Sequence, residues 1–193
     1  MQQADNTTVD LELTVTFYDY WHCGAGESAG SRADALVLKD EHNLPYIPGK
    51  TLKGHIREMA ETLEGHEDFV NRCFGRSTFG ESVSPTATKE REGKCYFGNA
   101  VLKERITPEL TPYLYTTIAS TAIGSNGIAK TGSLREIEAV VPLELKACIT
   151  DVPIEYQEQM IQAIRQVKRI GLGRTRGWGR CEIAVTTKGE CDD

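Results

Sequence analysis

Two short stretches of the chain gather cations around glycines and hold no acid. One is Gly49-Lys50-Thr51-Leu52-Lys53-Gly54-His55-Ile56-Arg57, the other Gly171-Leu172-Gly173-Arg174-Thr175-Arg176-Gly177-Trp178-Gly179-Arg180. The chemistry they suggest is the binding of phosphate. Pro45 and Pro48 forbid helix just upstream, so Lys50 and Thr51 fall at a helix N-terminus. Unpaired N–H groups there attract anions. Lys53 and Arg57 are four residues apart and share a helix face, while Gly54 leaves room for close approach. In the second stretch four glycines can take positive φ, so the backbone around Gly173 can turn its N–H groups toward an anion. Arg174 and Arg176 add guanidinium forks that match phosphate oxygens. Trp178 either stacks on a base or anchors the loop in the core.

The overall charge alone argues against a nucleic-acid partner, because the 193-residue chain carries −6. Its distribution argues otherwise. Segments 50–57 and 165–180 hold nine cations and no acid, so the remaining residues carry −15. Screening confines electrostatics to about 8–10 Å, so a local field is what a phosphate backbone meets. The same islands also suit two solvated helix faces.

Other chemistries fit poorly. Gly24-Ala25-Gly26 follows a strand pattern, but a dinucleotide fingerprint needs a helix to open at once. Here the helix waits until about residue 49. Gly49-Lys50-Thr51 resembles the end of a P-loop, yet Leu44 stands where that motif needs glycine. The histidines at 22, 42, 55 and 66 show no ligand spacing. Six cysteines, at 23, 73, 95, 148, 181 and 191, form no C-x-x-C pair. They are expected to be buried small residues or free thiols. No apolar run approaches the ~18 residues of a membrane span, and Met1 to Asn6 does not look like a secretory leader. A cytoplasmic protein is the expectation.

The elements that must position these residues follow from periodicity. Residues 9–20 alternate as a half-buried strand. A glycine-rich stretch, 23–33, and an apolar run, 36–38, come next. Leu52, Ile56, Met59 or Ala60, and Leu63 mark a helix that begins near Gly49 and ends at Gly65. An amphipathic piece, 67–74, and a polar loop, 75–93, follow. Tyr96 to Leu102 reads as a strand, 104–138 as a long hairpin or flap, and Ala139 to Ile149 as another strand. A helix over 153–169 and a glycine-rich turn lead into a last strand, Cys181 to Thr187. Strand, helix, strand, strand, helix, strand is the ferredoxin-like order, an α+β class with long insertions.

The pattern Ile47-Pro48-Gly49-x-x-Leu52-Lys53-Gly54-x-x-Arg57, together with the late loop Gly171-x-Gly173-x-x-Arg176-Gly177-x-Gly179-Arg180, resembles the RAMP superfamily of CRISPR-associated proteins. The likeness runs from about residue 9 to 187 and lies nearest the repeated backbone subunit of type III (Csm/Cmr) effector complexes. It implies one RRM-like domain over 1–193, with a thumb hairpin at about 104–138. It further implies that Lys50, Thr51, Lys53, Arg57, Gly173, Arg174 and Arg176 grip CRISPR RNA. His22 would contact the RNA at the end of the first strand, and Lys130 and Arg135 would lie on the thumb. Asp34, followed by Asp40 and then Leu44-Pro45-Tyr46-Ile47-Pro48-Gly49, matches the position that cuts guide-paired target RNA in such subunits, with Mg²⁺ or Mn²⁺ as cofactor. The implied partners are the guide, single-stranded target RNA, further copies of the chain and other type III subunits, with no membrane. A backbone subunit that orders guide RNA without cutting is the alternative. A stand-alone RRM-like module would use sheet aromatics, but Tyr96 and Phe97 are adjacent, so only one could stack.

Overall fold

A computed structural model describes residues 7–24, 35–76, 92–104 and 106–187. Strand β1 (Thr8–Phe17) follows the predicted alternation: Leu11, Leu13, Val15 and Phe17 are buried, while Glu12 faces solvent. Helix α1 (Gly49–Ala60) buries Leu52, Ile56 and Ala60. Helix α2 (Glu67–Phe74) buries Phe69, Val70, Cys73 and Phe74. After β2 (Tyr96–Phe97) come β3 (Tyr115–Ser120), β4 (Arg135–Val140) and β5 (Glu144–Pro153). Helix α3 (Gln157–Gln166) and β6 (Cys181–Thr187) complete the described chain.

The main sheet has the order β2-β5-β1-β6, and every neighbouring pair is antiparallel. β5 lies between β1 and β2, and β1 lies between β5 and β6. Each strand–helix–strand half is therefore split by a strand of the other, which is the ferredoxin-like arrangement expected from the element order. Helices α1 and α3 touch each other and share one apolar core with the buried sheet face. Register places Glu12 opposite Cys148, Thr16 opposite both Glu144 and Glu182, and Tyr96 opposite Thr150 on the other face. No helix among the described residues is long and apolar enough to cross a membrane.

Four segments differ from the sequence expectation. The first helix stops at Ala60 rather than Gly65: Thr62 and Leu63 N–H turn to the carbonyls three residues back, Met59 O and Ala60 O. The single strand expected over Ala139 to Ile149 is two, because Pro142 has no amide donor and turns the chain from one sheet to the other. The helix expected over 153–169 is a 3₁₀ turn, Ile154–Tyr156, followed by the shorter α3. Val167 is already extended at its end. The strand expected to reach Leu102 is regular only over Tyr96–Phe97. Beyond it Ala100 and Val101 make single bridges to Ile47 and Lys146.

The expected hairpin is present as β3 and β4, paired from Tyr115 opposite Val140 to Ser120 opposite Arg135. Its base is tied to the body by a bridge from Val140 to Trp21. A second narrow junction forms where Lys94 N–H donates to Arg72 O (2.8 Å) and Cys95 N–H to Cys73 O (3.2 Å). A bridge from Gly75 to Glu92 extends it, so these two residues lie side by side.

Candidate functional site

After β1 the chain bends at Tyr18 and Asp19 and bridges to Val140 at Trp21, next to His22. Trp21 is fully buried and stacks on Phe17, with ring centroids 4.6 Å apart. That stack fixes the next residue. His22 is 2% exposed, and its Nδ1 lies 2.7 Å from Glu138 O. A carbonyl only accepts, so Nδ1 carries the proton.

The glycine loop lies directly on this segment. Leu172 N–H donates to His22 O (2.8 Å). Gly171 has φ +95°, and a Cβ there would sit 2.3 Å from the same carbonyl oxygen. Only glycine satisfies both conditions. Beyond it, Gly173 and Gly177 adopt left-handed conformations on either side of a 3₁₀ turn, Arg174–Arg176. The positive φ values expected of this loop are therefore present. Trp178 is half-buried and packs against Gly173 rather than joining the core.

The loop turns Arg174 toward α1. One guanidinium nitrogen donates to Glu58 Oε2 (3.0 Å) and lies 3.2 Å from His55 Nδ1. Burial, and then the Arg174 charge, hold the His55 pKa below its usual value. The imidazole is thus neutral near pH 7 and can accept from Arg174 at Nδ1. The hydrogen bond from Arg174 likewise lowers the Glu58 carboxyl. Between loop, helix and strand end lies a cleft of about 410 Å³, lined by His22, Pro48, Thr51, His55, Gly171 and Arg174 among others.

The structure brings together only some of the residues singled out from sequence. His22, Thr51 and Arg174 line the cleft. Lys53 and Arg57 project from the other flank of α1. Lys53 Nζ lies 5.8 Å from the centre of the Phe97 ring. Arg57 donates to Glu61 Oε1 (2.7 Å) and to Gly75 O (3.2 Å), so its fork is already engaged. Lys50 and Arg176 are exposed. Lys130 and Arg135 are exposed on the β3–β4 hairpin, away from the residues that line the cleft. The expected anion site at the start of α1 is mostly occupied: Gly49 N–H donates to Asn99 Oδ1, and Thr51 and Leu52 N–H donate to Pro48 O.

Sequence reasoning missed Asn99, His55 and Glu58. The acid-free stretch ends one residue before Glu58, and the i, i+3 spacing from His55 was the available signal.

Asp34 lies outside the described residues. Of its neighbours, Ala35 O accepts from Glu138 N–H (3.1 Å). The Glu138 carboxylate accepts from Val37 N–H (3.0 Å) and Lys39 Nζ (2.8 Å). Asp40, the second acid of the spacing, caps its own turn by accepting from His42 and Leu44 N–H (2.9 and 2.8 Å). Both acids are committed to structure. Among the described residues no group of three or more His, Cys, Asp or Glu could hold a metal ion.

Comparison with known proteins covers most of these elements. Residues 14–182 match the RAMP superfamily. The fold is similar to a chain in a cryo-EM structure of the type III-B Cmr-beta complex bound to cognate target RNA. There the TM-score is 0.69 at 16% identity, over 94% of this chain and 61% of that one. It is also similar to a chain of the Cmr-beta apo state, with a TM-score of 0.65 at 13% identity, over 92% and 97% of the two chains. This chain thus spans about three fifths of the first relative's length. A search of curated proteins finds no match. The family match begins within β1 and ends at the start of β6, enclosing every element around the cleft, and the chain belongs to the RAMP superfamily.

Proposed function

We propose that this chain is a CRISPR RNA-binding backbone subunit of a type III effector complex, holding guide phosphates in the cleft between the glycine loop and α1. The observation that carries this reading is the seating of Arg174. It is aimed into the cleft by a loop that only glycine permits, and it is held by an exposed carboxylate. An exposed ion pair is worth about 0–1 kcal/mol, so a phosphate can take the place of Glu58 at little cost. The Cmr-beta relative is described as bound to target RNA, which supports RNA as the partner. Target RNA, further copies of the chain and other type III subunits complete the assembly.

The test is Arg174→Ala, read by fluorescence anisotropy on single-stranded RNA across a salt series. Affinity should fall alike for all sequences, and the salt slope should drop by about one. An unchanged slope removes Arg174 from the interface and sinks the reading.

Cleavage of guide-paired target RNA is assigned to Asp34. Asp40 and Glu138 are already bonded within the fold, so Asp34 is the carboxylate that would hold a hydrated Mg²⁺ or Mn²⁺ ion for that step. The alternative is a subunit that orders guide RNA without cutting, and one experiment separates the two. In the assembled complex, Asp34→Ala should abolish target cleavage and keep RNA binding, and chelation of Mg²⁺ or Mn²⁺ should have the same effect. Cleavage that survives the substitution makes the subunit an organiser of guide RNA only.

A further inference from the structure

A second hollow, of about 560 Å³, lies at the β6 edge of the sheet. It is lined by Tyr18, Lys168, Arg169, Arg180, Cys181 and Glu182. Past α3 the chain is extended and pairs with the end of the glycine loop. Arg169 stands directly opposite Arg180 in an antiparallel bridge. Cys181 N–H donates to Lys168 O (2.9 Å), and Ile170 N–H to Gly179 O (2.9 Å). Like charges placed directly opposite on paired strands destabilise one another. The pairing here nevertheless holds two arginines face to face with a lysine beside them.

The local acids compensate only in part. Glu182 accepts a hydrogen bond from Tyr18 OH (2.8 Å), and Asp19 lies 3.5 Å from Arg180 Nε. Arg180 also lies over the Tyr18 ring, 5.4 Å from its centre. A cation beside an accessible aromatic face suits a nucleotide, whose phosphate and base need one of each.

The hollow is continuous with the cleft. Between them is a shallow trough of about 390 Å³ along the flank of α1. It shares His55 and Arg174 with the cleft, and Lys168 and Arg169 with the hollow. Four cations, Arg174, Lys168, Arg169 and Arg180, therefore follow one surface path.

We infer that the Lys168–Arg169–Arg180 hollow is a second phosphodiester site, which receives the same single strand after it leaves the Arg174 cleft. This rests on the reading of the cleft as an RNA site, and it adds a path length that a cleft alone lacks. The ligand is a phosphate of single-stranded RNA several nucleotides along.

The test uses the full chain with two oligouridylates, one of about three nucleotides, too short to run past the cleft, and one of about twelve, within the span that one small domain covers. The double variant Lys168→Gln/Arg180→Gln leaves Arg169 alone, because its guanidinium also donates to Trp178 O (3.3 Å). Binding of the long oligomer should weaken and lose roughly 1–2 from its salt slope, as two lost phosphate contacts imply. Binding of the short oligomer should not change. Glu182→Gln removes the acid of the hollow and should tighten the long oligomer alone, by roughly two- to fivefold. An unchanged salt slope for the long oligomer overturns the proposal, as does equal loss for both lengths. A failure of the cleft reading is distinct: Arg174→Ala then leaves the short oligomer unaffected.

Discussion

Arg174, Glu58 and His55 form a small proton-sensitive unit. His55 is held below its usual pKa of 6.5 mainly by burial, with the Arg174 charge adding to the effect. The unfolded chain therefore binds a proton that the folded one refuses. Stability is full above pH 6.5 and declines as pH falls below it, until the folded group also titrates. Urea midpoints measured between about pH 5 and 7.5 should show this decline, and His55→Gln should remove part of it. A variant as pH-dependent as the parent would show that His55 is not the group responsible. At this scale the sequence was legible for residue type and less so for direction. Lys53 and Arg57 share a face, as their spacing requires, but spacing does not say which flank of α1 meets the loop. The core stripe of Leu52, Ile56 and Ala60 runs between the flanks, and only the placement of α3 and the loop decides between them.

The elements were read more securely than their ends. Period-two alternation gave β1, and Cys181 to Thr187 was read with the bounds that β6 has. Boundaries failed where tertiary contacts take over. β2 is short because Asn99 leaves the sheet to cap Gly49. That joint makes two glycines of α1 behave oppositely. A Cβ on Gly49 would lie 1.9 Å from Phe97 O, whereas one on Gly54 meets nothing within 4 Å. Gly49→Ala should cost roughly 1–3 kcal/mol by forcing α1 away from β2. Gly54→Ala should gain roughly 0.5–1 kcal/mol of helix propensity. Urea denaturation of the two variants checks both signs, and a neutral Gly49→Ala would deny the joint its rigidity.

Among the described residues, the main sheet's solvent face and the glycine-loop side differ in charge. The solvent side of the main sheet presents Glu12, Glu144 and Glu182, and its Lys146 is bonded to Glu144 and Thr14. Such a face repels phosphate, although in an RRM-like module it would be the stacking platform. Tyr96, two-thirds exposed there, lies opposite Thr150 at the edge of the sheet. Tyr96→Ala should leave RNA affinity and salt slope unchanged, and a clear loss in the same anisotropy assay would move the interface to the sheet. Composition hinted at this segregation through its two basic islands. The path along Arg174, Lys168, Arg169 and Arg180 draws all four cations from the second island, and composition could not show it, because the trough depends on how α3 delivers Lys168 and Arg169 to the loop.

The junction at Arg72–Gly75 and Glu92–Cys95 clasps the end of α2 to the approach to β2 through backbone hydrogen bonds. Amides and carbonyls make such a clasp indifferent to which side chains it carries, so substitutions along it can recast the surface while the sheet edge it delivers stays in place.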